Sequence, residues 1–172
     1  SGRKLKNEPH MFIGAVENPT APPLEYRVDR ALKKVDAGAK FIQLQICYQP
    51  EMLENFIRGC VLNGVAKRAA LLPTVVFTKG ARPLGFLDTS VPGISVPKAV
   101  IDRVANSEDQ AEESYQLVKE QVIHALGLPG VAGIHFTDFR HDGSLQRMLQ
   151  ELGLGPKERD RQPQEDKNAY SS

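Results

Sequence analysis

Phe41-Ile42-Gln43-Leu44-Gln45-Ile46-Cys47-Tyr48 is the stretch that decides how this chain folds. Successive side chains of a strand point to opposite faces, so Phe41, Gln43, Gln45 and Cys47 share one face, and Ile42, Leu44, Ile46 and Tyr48 the other. The second face is apolar and suits a layer of helices. The first carries two amides, which are costly to bury without partners. Gly133-Ile134-His135-Phe136-Thr137-Asp138-Phe139-Arg140 likewise has polar residues where a strand covered on both sides is normally apolar. Polar groups at the carboxyl ends of parallel strands are where α/β proteins bind ligands.

Outward from these segments the chain alternates strand and helix. Met11 to Val16 reads as a strand, and Leu24 to Ala37 as a helix with Val28, Leu32 and Val35 at helical spacing. Lys40 to Cys47 is the second strand and Pro50 to Leu62 the second helix. Ala69 to Phe77 is a third strand, broken or bent at Pro73. Thr78 to Ser95, rich in Gly and Pro, reads as a long irregular loop of the kind that carries function. A short helix over 97–105 starts at Val96-Pro97. Ser107-Glu108-Asp109 opens the next helix, which runs to Leu126. Val131 to Phe136 is the fourth strand and Gly143 to Leu152 the last helix. Four strand–helix units predict parallel strands with right-handed crossovers. Two architectures fit: the C-terminal half of an eight-fold β/α barrel, which takes about 250 residues when whole, or a small open parallel α/β sheet. The domain reading is an extended lead-in over 1–10, an α/β domain over 11–154 and a disordered charged tail over 155–172.

The 172 residues are enough for one domain with a core. A net charge of +1 gives no bulk reason to bind nucleic acid or a membrane. No run of about 18 apolar residues predicts a membrane-spanning helix. Cys47 and Cys60 read as reduced buried thiols, and with no secretory signal the expected location is cytoplasmic. No pair of residues has metal-ligand spacing such as His-Glu-x-x-His, so no metal is expected. Ser90, Ser95 and Cys47 have no base at a recognisable spacing, and glycine-rich phosphate motifs are absent.

Several motifs together point to a family. Gly14-Ala15-Val16-Glu17-Asn18-Pro19, Leu32-Lys33-Lys34-Val35-Asp36-Ala37-Gly38-Ala39 and Phe41-Ile42-Gln43-Leu44-Gln45 resemble the fifth and sixth strand regions of methylenetetrahydrofolate reductases. Leu72-Pro73-Thr74-Val75 is similar to their seventh strand, and Val96-Pro97 to the helix start that follows. Gly130-Val131-Ala132-Gly133-Ile134-His135-Phe136 is similar to their eighth strand. The resemblance covers roughly residues 11–154. It implies a flavin-dependent barrel that reduces methylenetetrahydrofolate with NADH or NADPH, with this chain as strands five to eight. The family's acids lie on strands one to four, so no catalytic residue is assigned here. The open sheet edges then call for a separate N-terminal half or self-association.

The resemblance also implies roles. Gln45 matches the family's folate-contacting glutamine, and an amide both donates to and accepts from a pterin edge. Gln43, one pleat deeper, is its partner. Arg140 lies one residue from the family's strand-eight arginine and would face the glutamate tail of a folate. Lys33 and Lys34 match positions that touch flavin phosphates, and Arg30 and Asn18 join them as cofactor candidates for FAD. The family's turn, Tyr-Pro-Glu-Gly-His-Pro-like, is replaced by Val16-Glu17-Asn18-Pro19-Thr20, without its aromatic and histidine, which argues against the usual FAD contacts. Where the family has a stacking aromatic, Ala81 aligns here, and Phe77 or Phe86 stands in. His135 reads as a satisfied core histidine, while Asp138, His141, Lys79 and Arg82 are further polar residues at the strand ends and the long loop. The function implied is a methylenetetrahydrofolate reductase-like oxidoreductase of one-carbon metabolism and methionine biosynthesis. The alternative is a non-catalytic folate- or partner-binding half barrel within a one-carbon or methyltransferase complex.

Overall fold

The computed structural model describes residues 11–155; the expected lead-in, and all of the expected tail but Gly155, lie outside this range. Four strands, β1 (Gly14–Glu17), β2 (Phe41–Leu44), β3 (Ala70–Phe77) and β4 (His135–Asp138), form one parallel sheet in the order β1-β2-β3-β4. Neighbours in sequence are neighbours in space. That is the order of half a β/α barrel; a doubly wound sheet reverses its strand order at a switch point.

The helices cover one face. Ile42 and Leu44 of β2 and Leu71 of β3 are fully buried against Ala31 and Val35 of α1 (Arg27–Asp36) and Leu53, Phe56, Ile57 and Cys60 of α2 (Pro50–Leu62). Further along the same face, Val75, Phe77 and Phe136 pack with Tyr115, Val118 and Val122 of α5 (Gln110–Gly127) and Met148 of α6 (Ser144–Glu151). Phe77 stacks between Tyr115 and Phe136, with ring centroids 6.4 and 6.0 Å away. The opposite face of β2 stays half-buried at Phe41, Gln43 and Gln45, as the alternation requires.

Three local expectations change. First, β3 runs unbroken through Pro73. β2 pairs with Phe41↔Ala70 through Leu44↔Pro73, and β4 pairs from Thr74↔His135 onward, so the residue without an N–H sits where one partner strand ends and the other begins. Second, β4 starts later than Val131. Val131 makes only a single bridge to Leu71, and three steps from Leu71 to Thr74 face four from Val131 to His135, an extra residue in the manner of a bulge. Third, the long loop contains a helix, α3 (Ala81–Ser90). Pro83 lies in its first turn, where backbone N–H groups have no helical acceptor anyway, so its turn-like composition does not break the helix. α3 and α4 (Lys98–Ala105) bury Leu84, Leu87, Ile94, Val96 and Val104 with Val76, Ile46 and Tyr48, beyond the carboxyl ends of β2 and β3. Among the described residues no helix is long and apolar enough to cross a membrane.

The start of α5 is capped as its sequence indicates: Asp109 Oδ1 accepts from Ala111 N at 3.0 Å and Glu112 N at 2.9 Å. Asp109→Ala should lower unfolding free energy by about 1 kcal/mol, with Asp109→Asn losing less. Urea denaturation of the three proteins measures this.

Candidate functional site

At the carboxyl ends of the strands lies a cleft of about 560 Å³, within the usual size of a small-molecule site. Gln45 closes it from β2, Phe77, Thr78 and Lys79 from the end of β3, Pro83 and Phe86 from α3, and Thr137 and Phe139 from β4. Phe86 is 60% and Phe139 68% exposed, two aromatic faces left open at the rim. Phe77 has a fully buried ring committed to Tyr115 and Phe136, so of the two aromatics named from sequence, Phe86 is the one free to stack on a ligand. Phe139 was missed, although 135, 137 and 139 alternate on one face of the strand. Lys79 is held by Asp142 at 3.3 Å, and Arg82 is exposed on α3.

A second recess, of about 440 Å³, adjoins the first across β1 and β2. Gln43, Gln45, Asn18, Lys34 and Glu17 line it, so Gln45 is shared by both. Gln45 Oε1 folds back to accept from Ile46 N at 3.0 Å, while its backbone N–H donates to Glu17 O at 2.9 Å. The amide oxygen is held locally. The nitrogen has no partner among the described residues and is left for a ligand acceptor.

The cations expected to meet phosphate are organised around Glu17, whose side chain is 4% exposed. Lys34 Nζ donates to Glu17 Oε2 at 2.6 Å and to Val16 O at 2.5 Å. Arg30 donates to Glu17 Oε1 from Nε and Nη2, both at 3.2 Å. The Asn18 side chain is also engaged: Nδ2 donates to Gly93 O at 2.8 Å, and Oδ1 accepts from Thr20 N and Oγ1, each at 2.8 Å. Lys33 alone of the four stands exposed on α1. A phosphate arriving at this recess would meet a buried carboxylate that already balances Lys34 and Arg30. Three of the four donors therefore do not fit a flavin pyrophosphate.

Arg140 is a clasp between segments. Its side chain is 9% exposed; Nε donates to Asp142 Oδ2 at 3.0 Å, and Nη1 to Ala111 O at 2.8 Å and Thr78 O at 3.4 Å. Asp138 Oδ1 accepts from the backbone of Arg140 and His141, shaping the turn after β4. His135 Nδ1 lies 3.2 Å from Thr74 Oγ1, a satisfied histidine of the sheet.

The family model described as methylenetetrahydrofolate reductase matches residues 15–153. The chain belongs to the methylenetetrahydrofolate reductase family. It is 24% identical over 148 residues to a probable methylenetetrahydrofolate reductase (NADPH) of Caenorhabditis elegans, covering 84% of this chain and 22% of that protein. It is 29% identical over 134 residues to methylenetetrahydrofolate reductase 2 of Schizosaccharomyces pombe, covering 72% and 20%. The chain thus spans about a fifth of these curated relatives. A solved structure of a Clostridium thermocellum protein, described as binding two copies of 5-methyl-5,6,7,8-tetrahydrofolic acid, superposes with a TM-score of 0.60 at 18% identity, over 80% of this chain and half of that one. This last likeness is one of fold.

The Glu17 cluster makes a pH-dependent contribution. Burial pushes its carboxyl up, but hydrogen bonds from Lys34, the Asn18 backbone and Arg30 outweigh that and hold it below the ordinary value. A depressed carboxyl stabilises the fold above its unfolded pKa and loses that contribution as pH falls through the folded value. Both cations keep about a third of their side-chain surface in water, so Glu17→Gln should destabilise by only about 1–2 kcal/mol near neutral pH. The gap to the unmodified chain should narrow below about pH 4.5. Denaturant melts across this range test it.

Proposed function

We propose that this chain supplies the folate-binding wall of a methylenetetrahydrofolate reductase-like barrel. The observation that carries the reading is the strand-end cleft, which Gln45 lines together with two exposed aromatic rings. The amide meets an acceptor on the pterin edge, Gln43 lines the adjoining recess, and Phe86 or Phe139 stacks on the ring. The Clostridium protein that binds methyltetrahydrofolate supports the substrate class. Arg140 would reach a glutamate tail only through Nη2, since its other nitrogens hold the loops together.

The reaction proposed transfers hydride from NADH or NADPH to the methylene carbon once its bond to N10 has opened. One proton is taken up at N10, and the products are the N5-methyl compound and oxidised nicotinamide. This chain's part is to bind and orient the folate. Among the described residues that line the cleft, Lys79 is the one ionisable side chain and there is no carboxylic acid, so a carboxylic proton donor would come from outside this wall. Flavin has no place in this reading, because Lys34, Arg30 and Asn18 are already committed. A second reading, a non-catalytic folate-binding half barrel, draws on the same absence of a lining acid among the described residues and shares the same binding site. Self-association, or pairing with a further half barrel, would cover the open edges at β1 and β4.

Calorimetric titration with methyltetrahydrofolate tests the site. Saturable binding is expected, about tenfold weaker in Gln45→Ala and about three- to tenfold weaker in Phe86→Ala. A folded chain giving no heat would overturn the claim that this wall binds folate by itself.

A further inference from the structure

The strand-end cleft is uncharged along nearly all of its lining. Gln45, Thr78 and Thr137 are its neutral polar residues, and the others, Lys79 excepted, are apolar. The Lys79 ammonium is not neutralised by its partner. Nζ lies 3.3 Å from Asp142 Oδ2. That same oxygen accepts from Arg140 Nε at 3.0 Å, and Asp142 Oδ1 accepts from Ser144 N and Oγ at 3.2 and 2.6 Å. Two cations therefore share one carboxylate, which leaves the trio with an excess of positive charge. Arg140 is 9% exposed and its Nη1 is spent on two backbone carbonyls, whereas Lys79 is 51% exposed. The reachable part of that excess is the Lys79 ammonium, which carries three N–H donors and directs one at Asp142.

Its place in the cleft bears on what it can meet. β3 lies between β2 and β4 in the sheet. Gln45 follows the end of β2, while the Lys79 side chain reaches the turn after β4, where Asp142 sits. A ligand that suits both has a neutral hydrogen-bonding head at one end and an anion at the other. A folate is built this way: a neutral pterin, an aminobenzoyl ring, then a glutamate with two carboxylates. Resting on the folate reading above, we propose that Lys79 is the specificity-determining residue for the acidic tail, and that the glutamate carboxylates are held by Lys79 and not by Arg140. Arg140 meets the charge of Asp142 and so leaves Lys79 to the ligand. The contact is half in water, so it contributes selectivity of about fivefold and no more.

The full chain is titrated calorimetrically with methyltetrahydrofolate and with its bis-amide, in which both carboxylates are carboxamides and the rest of the molecule is unchanged. The acid should bind about fivefold more tightly than the bis-amide at low salt. That advantage should shrink in about 1 M salt. Lys79→Met should bring the acid down to the level of the bis-amide and leave the bis-amide unchanged. Arg82→Met, which removes an exposed cation of α3 that does not line the cleft, should leave the advantage intact. Equal binding of the two ligands by the unmodified chain overturns the proposal without any variant. So does an advantage that survives in folded Lys79→Met, or one that is lost in Arg82→Met. In each of these cases the folate reading stands, because the ligands still bind. Binding of neither ligand overturns the folate reading and this proposal with it.

Discussion

A parallel sheet whose strands follow one another in space carries all its right-handed crossovers on one side. That constraint governs the rest of this molecule. Ile42, Leu44, Leu71, Val75 and Phe77 are sealed by α1, α2, α5 and α6, and they form a continuous apolar layer. The other face receives no crossover helix; only α3 reaches it, packing on Val76 at the carboxyl end of β3. Gln43 and Gln45 are acceptable there because they are half-buried and retain access to water or a ligand, so the high cost of burying an amide without a partner does not arise. The carboxyl ends of the strands then become the natural floor of a cleft.

What closes the cleft is the excursion after β3. α3 and the segment leading to α4 pack their leucines and Val76 into one cluster beyond the strand ends. They place Phe86 at the rim and bring Gly93 to Asn18, 75 residues away, joining the first and third βα loops. Arg140 ties a third region in, holding Thr78 and the start of α5 to the turn after β4. These long-range polar links set the shape of the cleft. The apolar core behind the sheet sets its position.

The Glu17 cluster shows how one buried carboxylate redirects a motif. Two cations on α1 look like a phosphate site when read along the chain. With Glu17 beneath them they become an internal clasp that fixes the edge strand β1 to its helix. The same residues hold the edge strand to its helix, so a nucleotide phosphate would have to compete with Glu17 for them. A reading of family motifs alone does not reach this result.

Much was legible from local periodicity. The alternation of residues 41–44 separated the helix-facing residues from those on the opposite face, although it stops at the strand end, where Ile46 lines the cleft and Cys47 packs on the helix core; the strand–helix order implied a parallel sheet, and the Lys-Val-Asp-Ala-Gly-Ala and Gly-Ile-His-Phe segments pointed to the family. These signals are short-range, so they survive in one dimension. Helix α3 was hidden because Pro83 and Gly85 resemble loop composition, and only packing of Leu84 and Leu87 reveals a helix there. The choice of Phe86 over Phe77 and the commitment of Arg30 and Lys34 to Glu17 both depend on which distant side chains meet. Distances between residues tens of positions apart follow from the way helices pack on the sheet, and only the tertiary structure decides them.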